Sequence, residues 1–216
     1  MSIKVNEIFH SIQGEGQHAG INSVFLRTSG CDLSCLFCDT KYHKEGGEIS
    51  LESIRKSINS FNSYNLVITG GEPLLWQGQL YALIKDLPHY VTIETNGTIV
   101  PSDELLKRVD EWSVSPKLNS SGNDIDKRLN YDALEVLKAH KAIFKFVVTN
   151  EKDVEEVLEI CKQVRIDNHK VWLMPEGTTG SEILKKSLWV IELCKKHNFN
   201  YSARLHILIW GKKKGV

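Results

Sequence analysis

Short apolar runs alternate with segments of helical period along most of this chain, and that alternation limits the fold more than any other feature. Residues 5–12, 23–27, 66–69, 90–94, 112–115, 142–148, 171–174 and 201–210 read as strands, rich in Val, Ile, Leu or aromatic residues. Between them lie helical patterns carrying Leu51, Ile54 and Ile58; Leu80, Leu83, Ile84 and Leu87; Leu105, Leu106 and Val109; Leu134, Leu137 and Ala139; Val154, Val157, Leu158 and Cys161; and Ile183, Leu184, Val190, Ile191 and Cys194. Strand, helix and strand in repetition require right-handed crossovers and a parallel sheet. From Ser23 onward the pattern gives about six such units and a closing strand, fewer than a closed barrel needs. The expectation is an α/β fold, a partial and open TIM-type barrel. With 216 residues the chain suffices for one sizeable core, so residues 1–216 are expected to form a single domain.

In parallel α/β folds the carboxyl ends of the strands converge on one face, where ligands bind. Polar clusters recur at those positions: Arg27 with the cysteines after it, Thr69 with Gly70 and Gly71, Glu94 to Asn96, Ser115 to Lys117, Met174 to Glu176, and Arg204 with His206. Acidic and basic residues balance at 27 each, so no overall field draws the chain to nucleic acid or to a membrane. No signal-like amino terminus and no long apolar run is present, and a cytoplasmic protein with a small ligand is expected. Cys161 and Cys194 read as small core residues, and Lys212 to Lys214 as a solvated end.

Residues 30–40 read Gly-Cys-Asp-Leu-Ser-Cys-Leu-Phe-Cys-Asp-Thr. Three thiols cannot make a disulfide framework, and bridges between such close neighbours would be strained. Cys31, Cys35 and Cys38 on one short loop can instead point at a common centre, which suits tetrahedral zinc or an iron–sulfur cluster. Structural zinc wants a fourth protein ligand, for which only His43 is near, on an unrelated spacing; a cubane cluster can use three thiolates and leave one iron open. Gly70-Gly71-Glu72-Pro73 taken alone is a strand-to-helix turn. Its glycines also let the backbone approach a ligand, and strand-end carbonyls with the Glu72 carboxylate make an acceptor set for an ammonium. Arg27, on a strand that otherwise reads apolar, needs an anion and forks onto carboxylates. By themselves, Ser115-Pro116-Lys117 is a strand stopped by proline, Thr40 a loop-end cap, Glu94 to Asn96 a turn, and His206 a core or strand histidine.

The CxxxCxxC pattern with Phe37 before its third cysteine, followed by the Gly-Gly-Glu-Pro loop, resembles the radical S-adenosylmethionine enzymes. The longer string is similar over nearly the whole chain to one family of them, the 7-carboxy-7-deazaguanine synthases; it comprises Phe9 to Gly16, Phe25 and Arg27, the cysteine loop, the glycine loop and Leu205-His206. That resemblance implies a carbon–nitrogen lyase of queuosine biosynthesis, in which Cys31, Cys35 and Cys38 are catalytic and hold a [4Fe–4S] cluster. The open iron would take the amino and carboxylate groups of S-adenosylmethionine, whose cleavage gives a 5′-deoxyadenosyl radical. The radical would take a hydrogen from C6 of 6-carboxy-5,6,7,8-tetrahydropterin; the ring contracts, ammonia leaves and the cofactor is regenerated. The family's cofactor positions fall on Phe37, Cys38, Asp39, Gly71, Glu72, Ser115, Pro116 and Lys117, and its substrate positions on Ile12, Gln13, Gly14, Arg27, Thr69 and His206. Its Mg²⁺ would be held by the Thr40 hydroxyl, and its partners would be an electron donor such as flavodoxin or ferredoxin and a second copy in a homodimer. Two other readings stay open: a glycyl-radical-enzyme activase of the same superfamily, which needs a groove for a polypeptide, and a zinc-binding structural module.

Overall fold

The computed structural model describes residues 1–38, 40 and 45–216. In chain order the strands are β1 (Ser2–Ile12), β2 (Asn22–Thr28), β3 (Gly47–Ser50), β4 (Asn65–Gly70), β5 (Tyr90–Thr95), β6 (Glu111–Val114), β7 (Ala142–Val148), β8 (Val171–Pro175) and β9 (Asn200–Tyr201). The helices are α1 (Leu51–Asn59), α2 (Gln77–Ile84), α3 (Asp103–Arg108), α4 (Ile125–Arg128), α5 (Tyr131–Lys138), α6 (Glu151–Val164), α7 (Gly180–His197) and α8 (Leu205–Trp210). Among the described residues all the strands join one sheet, ordered β3-β1-β2-β4-β5-β6-β7-β8-β9. From β2 to β9 every neighbouring pair is parallel, so the strand–helix alternation does produce an open barrel rather than a closed one. Beyond β2 the sheet is extended by antiparallel β1, with Ile8 opposite Leu26, and then by β3, with Ile49 opposite Ile3. The β3 strand escapes a reading for apolar runs because it is four mostly exposed residues long.

Side chains alternate across each strand, and the two faces of this sheet have different chemistry. On the helix side, Val24, Leu26, Leu66, Ile68, Val91, Ile93, Trp112, Val114, Phe144 and Phe146 join helix residues such as Ile54, Leu83, Leu105, Leu137, Val157 and Val190 in one core. Each such aliphatic side chain contributes about 1.5–3 kcal/mol by leaving water. Along the same strands the intervening positions, among them Arg27, Thr69, Glu94, Ser113 and Lys145, line the cavities inside the half barrel. The helices are held in place by local chemistry. Ser50 caps α1, Asn150 and Asp153 form a capping box on α6, and Thr179 and Glu182 form one on α7.

One expected element is different. Residues 201–210 read as a strand, yet β9 pairs with β8 only at Asn200 and Tyr201, and the apolar run from Leu205 folds as α8. The cause lies across the barrel. Ser202 Oγ accepts from Gly16 N at 2.8 Å, and Leu205 N donates to Gly14 O at 2.8 Å. Arg204 donates to Glu15 and to Gly177 O. These contacts pull the chain off the sheet toward the turn after β1, overriding the β-propensity of the run.

Candidate active site

The carboxyl ends of the strands open on two adjoining cavities. The first, about 180 Å³, is lined by Cys31, Cys35, Phe37, Cys38, Gly70, Gly71, Asn96, Ser115 and Lys117, among others. The second, about 540 Å³, is lined by Ile12, Gln13, Gly14, Phe25, Arg27 and His206 and by the tail from Gly211 to Val216. Glu15, Cys38, Thr40, Thr69, Gly70 and Glu94 line both and form the shared wall. Asp39, one of the expected cofactor positions, and His43 lie outside the described residues.

All three loop cysteines face the first cavity. Cys31 Sγ accepts the Leu33 N–H at 3.4 Å and Cys35 Sγ accepts from Asn123 Nδ2 at 3.3 Å. Burial pushes the Cys31 thiol up to about 12, against the pull of the Leu33 amide, so this sulfur needs a cation to become a thiolate. Among the described residues no three His, Cys, Asp or Glu side chains converge as they would on a single ion. A cubane places its thiolates on three separate irons and asks for wider spacing. Three soft donors around one cavity fit such a cluster.

The glycine loop meets the cysteine loop backbone to backbone. Gly71 N donates to Thr28 O, Glu72 N donates to Gly30 O at 2.8 Å, and a Cβ on Gly71 would collide with Gly30 O and the Cys31 side chain. Glu72, an expected cofactor position, does not line the cavity; its side chain is completely buried. Oε1 accepts from Leu74 N and Thr95 Oγ1, and Oε2 accepts from Asn96 N at 2.7 Å. Burial outweighs these donors and raises its pKa to about 7. Glu72 thus pins the end of β5, and Asn96 in turn donates to Asp32 in the cysteine loop at 2.8 Å. Lys117 folds back to donate to Ser115 O and Oγ at 2.8 and 3.0 Å, with both residues on the cavity wall and Pro116 not on it.

On the other side, Arg27 lines the second cavity with an anion already beside it: its Nε donates to Glu7 at 2.7 Å, and the guanidinium lies over the Phe9 ring. The expected external carboxylate therefore meets an arginine whose orientation is fixed from within the chain. The His206 ring packs on Gly14, where a Cβ would strike the ring as it stands, and its Nε2 lies 4.0 Å from Glu15. Gln13 Nε2 donates to Glu94 at 3.1 Å. Ile12, Gln13, Gly14, Arg27, Thr69 and His206 thus all border one cavity.

A buried ion network between the cavities was not anticipated as a unit. Lys145 Nζ lies 2.5 Å from Glu15 Oε2 and 4.0 Å from Glu94, while Arg204 Nε reaches Glu15 Oε1 at 3.1 Å. Burial opposes ionisation of Glu15, but Lys145, Arg204 and His206 more than offset it and hold the carboxyl well below the usual range. Burial likewise opposes the Lys145 ammonium, and Glu15 and Glu94 outweigh it, raising its pKa. The signal for Lys145 was available: a lysine flanked by Phe144 and Phe146 in an apolar run is as conspicuous as Arg27 in β2.

Residues 25–182 match the sequence profile of the radical SAM superfamily. A 7-carboxy-7-deazaguanine synthase of Pyrobaculum aerophilum is 36% identical, covering 99% of this chain and 97% of its own. One from Halobacterium salinarum is 35% identical, over 97% of this chain and 91% of its own. Among solved structures, QueE from Escherichia coli superposes with a TM-score of 0.75 at 26% identity, over 95% of both chains. SuiB from Streptococcus suis, bound to S-adenosylmethionine, shares the fold alone: TM-score 0.57 and 14% identity, over 82% of this chain and 49% of that one.

Proposed function

The chain belongs to the radical SAM superfamily and, within it, to the 7-carboxy-7-deazaguanine synthases, and from that premise we infer that it is a carbon–nitrogen lyase. It converts 6-carboxy-5,6,7,8-tetrahydropterin to 7-carboxy-7-deazaguanine with loss of ammonia, a step toward queuosine. The observation that carries this reading is the pair of adjoining cavities, one edged by three thiols and the other by Arg27, with Thr40, Thr69 and Glu94 common to both. Full-length relatives set aside the glycyl-radical activase, and the superfamily match sets aside the zinc module.

Cys31, Cys35 and Cys38 would hold the [4Fe–4S] cluster, and Phe37, Cys38, Gly71, Ser115 and Lys117 would border S-adenosylmethionine; together the two groups supply the radical chemistry. The chain's own work is placement. Arg27, oriented by Glu7, takes the substrate carboxylate. Gly14 lets the ligand and His206 share one narrow space, and Gln13 and Glu94 present amide and carboxylate atoms to the ring. Thr40 lines both cavities, and its hydroxyl would join substrate oxygens and waters around Mg²⁺, an ion that keeps much of its hydration. Ion pairing of Glu15 with Lys145 and Arg204 keeps the shared wall fixed while both ligands bind.

Residues 1–216 would work as one domain in the cytoplasm, with electrons from flavodoxin or ferredoxin. Exposed Leu184 and Leu188 of α7 would offer apolar surface to a second copy in a homodimer. Among the described residues no helix is long and apolar enough to cross a membrane.

The reading is tested by incubating anaerobically reconstituted, reduced protein with S-adenosylmethionine, Mg²⁺ and the carboxypterin. The deazaguanine acid and ammonia should form together; an intact cluster without that product would reject the substrate. Thr40→Ala should keep the cluster and lose most of the stimulation by Mg²⁺, and full turnover at low magnesium would refute the metal role.

A further inference from the structure

The connection between β6 and α4 touches the cysteine loop at three points on either side of Cys35. Leu36 N donates to Ser121 O at 2.9 Å. Ser34 N donates to Asn123 Oδ1 at 3.0 Å, and Asn123 Nδ2 donates to Cys35 Sγ at 3.3 Å and to Ser121 Oγ at 3.1 Å. Gly122, at φ 77°, brings this turn so close that a Cβ there would strike the Leu36 side chain. The orientation of the Asn123 amide is settled by chemistry: Ser34 offers a backbone N–H and so faces the oxygen, which leaves the NH₂ group toward the sulfur. Every hydrogen-bonding atom of that side chain is then used, with Ser34 and Cys35 as its partners in the metal-binding loop, while the Ser121 carbonyl takes the Leu36 N–H.

We propose that Asn123 is a positioning residue for the iron–sulfur cluster: it clamps the loop through Ser34 and donates an N–H to the Cys35 sulfur, which raises the cluster's reduction potential. This rests on the cluster assignment made above. A hydrogen bond to a ligating thiolate offsets negative charge on the sulfur, and the reduced cluster, carrying one more electron, benefits more than the oxidised one. The residue thereby eases delivery of the electron that starts the reaction without touching either ligand.

The test is a redox titration of the reconstituted protein, read by the spectrum of the reduced cluster, with neither S-adenosylmethionine nor substrate present. Asn123→Asp keeps the acceptor for Ser34 N and replaces the donor by an oxygen; Asn123→Ala removes both contacts. Both variants should be harder to reduce than the parent, Asp more so than Ala, with Asp retaining the parent's iron content. A midpoint unchanged in Asn123→Asp at full iron content would overturn the proposal while leaving the cluster assignment intact. A parent protein that takes up no iron would overturn the assignment itself and the proposal with it.

Discussion

The two halves of the site are held by different means. On the Arg27 side, charges close on each other across long stretches of chain: Arg27 on Glu7, Lys145 and Arg204 on Glu15, all largely buried. On the cysteine side, the loop hangs between neighbouring turns by single hydrogen bonds, from Asn123, from Asn96 and from the Gly71–Glu72 backbone. Ion pairs inside a barrel are fixed once the sheet forms, because breaking one strands a charge. Amide contacts to a loop are individually worth about 0.5–1.5 kcal/mol and leave its exact shape dependent on each neighbour. The Arg27 side is therefore set by folding, and the cysteine side by fit between loops.

The sharpest way to break this contrast is to add one methyl group on each side. In Gly71→Ala the new Cβ meets backbone, Gly30 O, which cannot move aside, so iron uptake should fail and turnover should drop by at least about 100-fold. In Gly14→Ala the obstacle is the His206 ring, which can rotate; iron content should match the parent, with KM raised and kcat changed little. Iron analysis and steady-state kinetics of the two variants decide it, and equal iron loss in both would dissolve the distinction.

A second variant tests the charged half alone. Lys145→Met removes the cation shared by Glu15 and Glu94 but leaves Arg204 on Glu15, so it should cost about 3 kcal/mol, the low end for a broken buried pair, in denaturant unfolding of the metal-free protein, while the folded fraction still binds iron. Loss of iron binding with unchanged stability would show the halves to be wired the other way.

The smallest expected effect concerns Glu72, buried behind the glycine loop against Thr95 and Asn96. Its folded pKa of about 7 exceeds the ordinary 4.5, so its contribution to stability is complete below about pH 4.5 and is lost as pH rises through 7. The full span is roughly 3 kcal/mol. Urea unfolding of the metal-free protein from pH 5 to 8 should show stability declining in the parent, and the decline should be absent in Glu72→Gln. The Glu15 contribution, with its pKa lowered, disappears only as pH falls below the carboxylate range and does not enter that window.

Much of this was legible from the chain itself. The parallel sheet and the polar strand ends follow from apolar runs and their spacing, and the cysteine and glycine loops announce themselves by composition. What stayed hidden depends on contacts distant in sequence. Residues 205–210 have the look of a strand and become α8 because Ser202, Arg204 and Leu205 bond across to Gly16, Glu15 and Gly14. Glu72 reads as a ligand because its motif carries that role, and only its burial against Thr95 and Asn96 shows the carboxylate pointing inward. Asn123 sits in a polar turn like many others, and nothing short of its distance to Cys35 marks it.

On the proposed reading two ligands meet across the wall that includes Cys38, Thr40, Thr69 and Glu94. It is tested most directly by giving the reduced, reconstituted protein a carboxytetrahydropterin deuterated at C6 and recovering S-adenosylmethionine after turnover. Deuterium should be found at the 5′ carbon of the recovered cofactor, in step with product formation. Product formed with unlabelled cofactor would mean that the two ligands do not meet there.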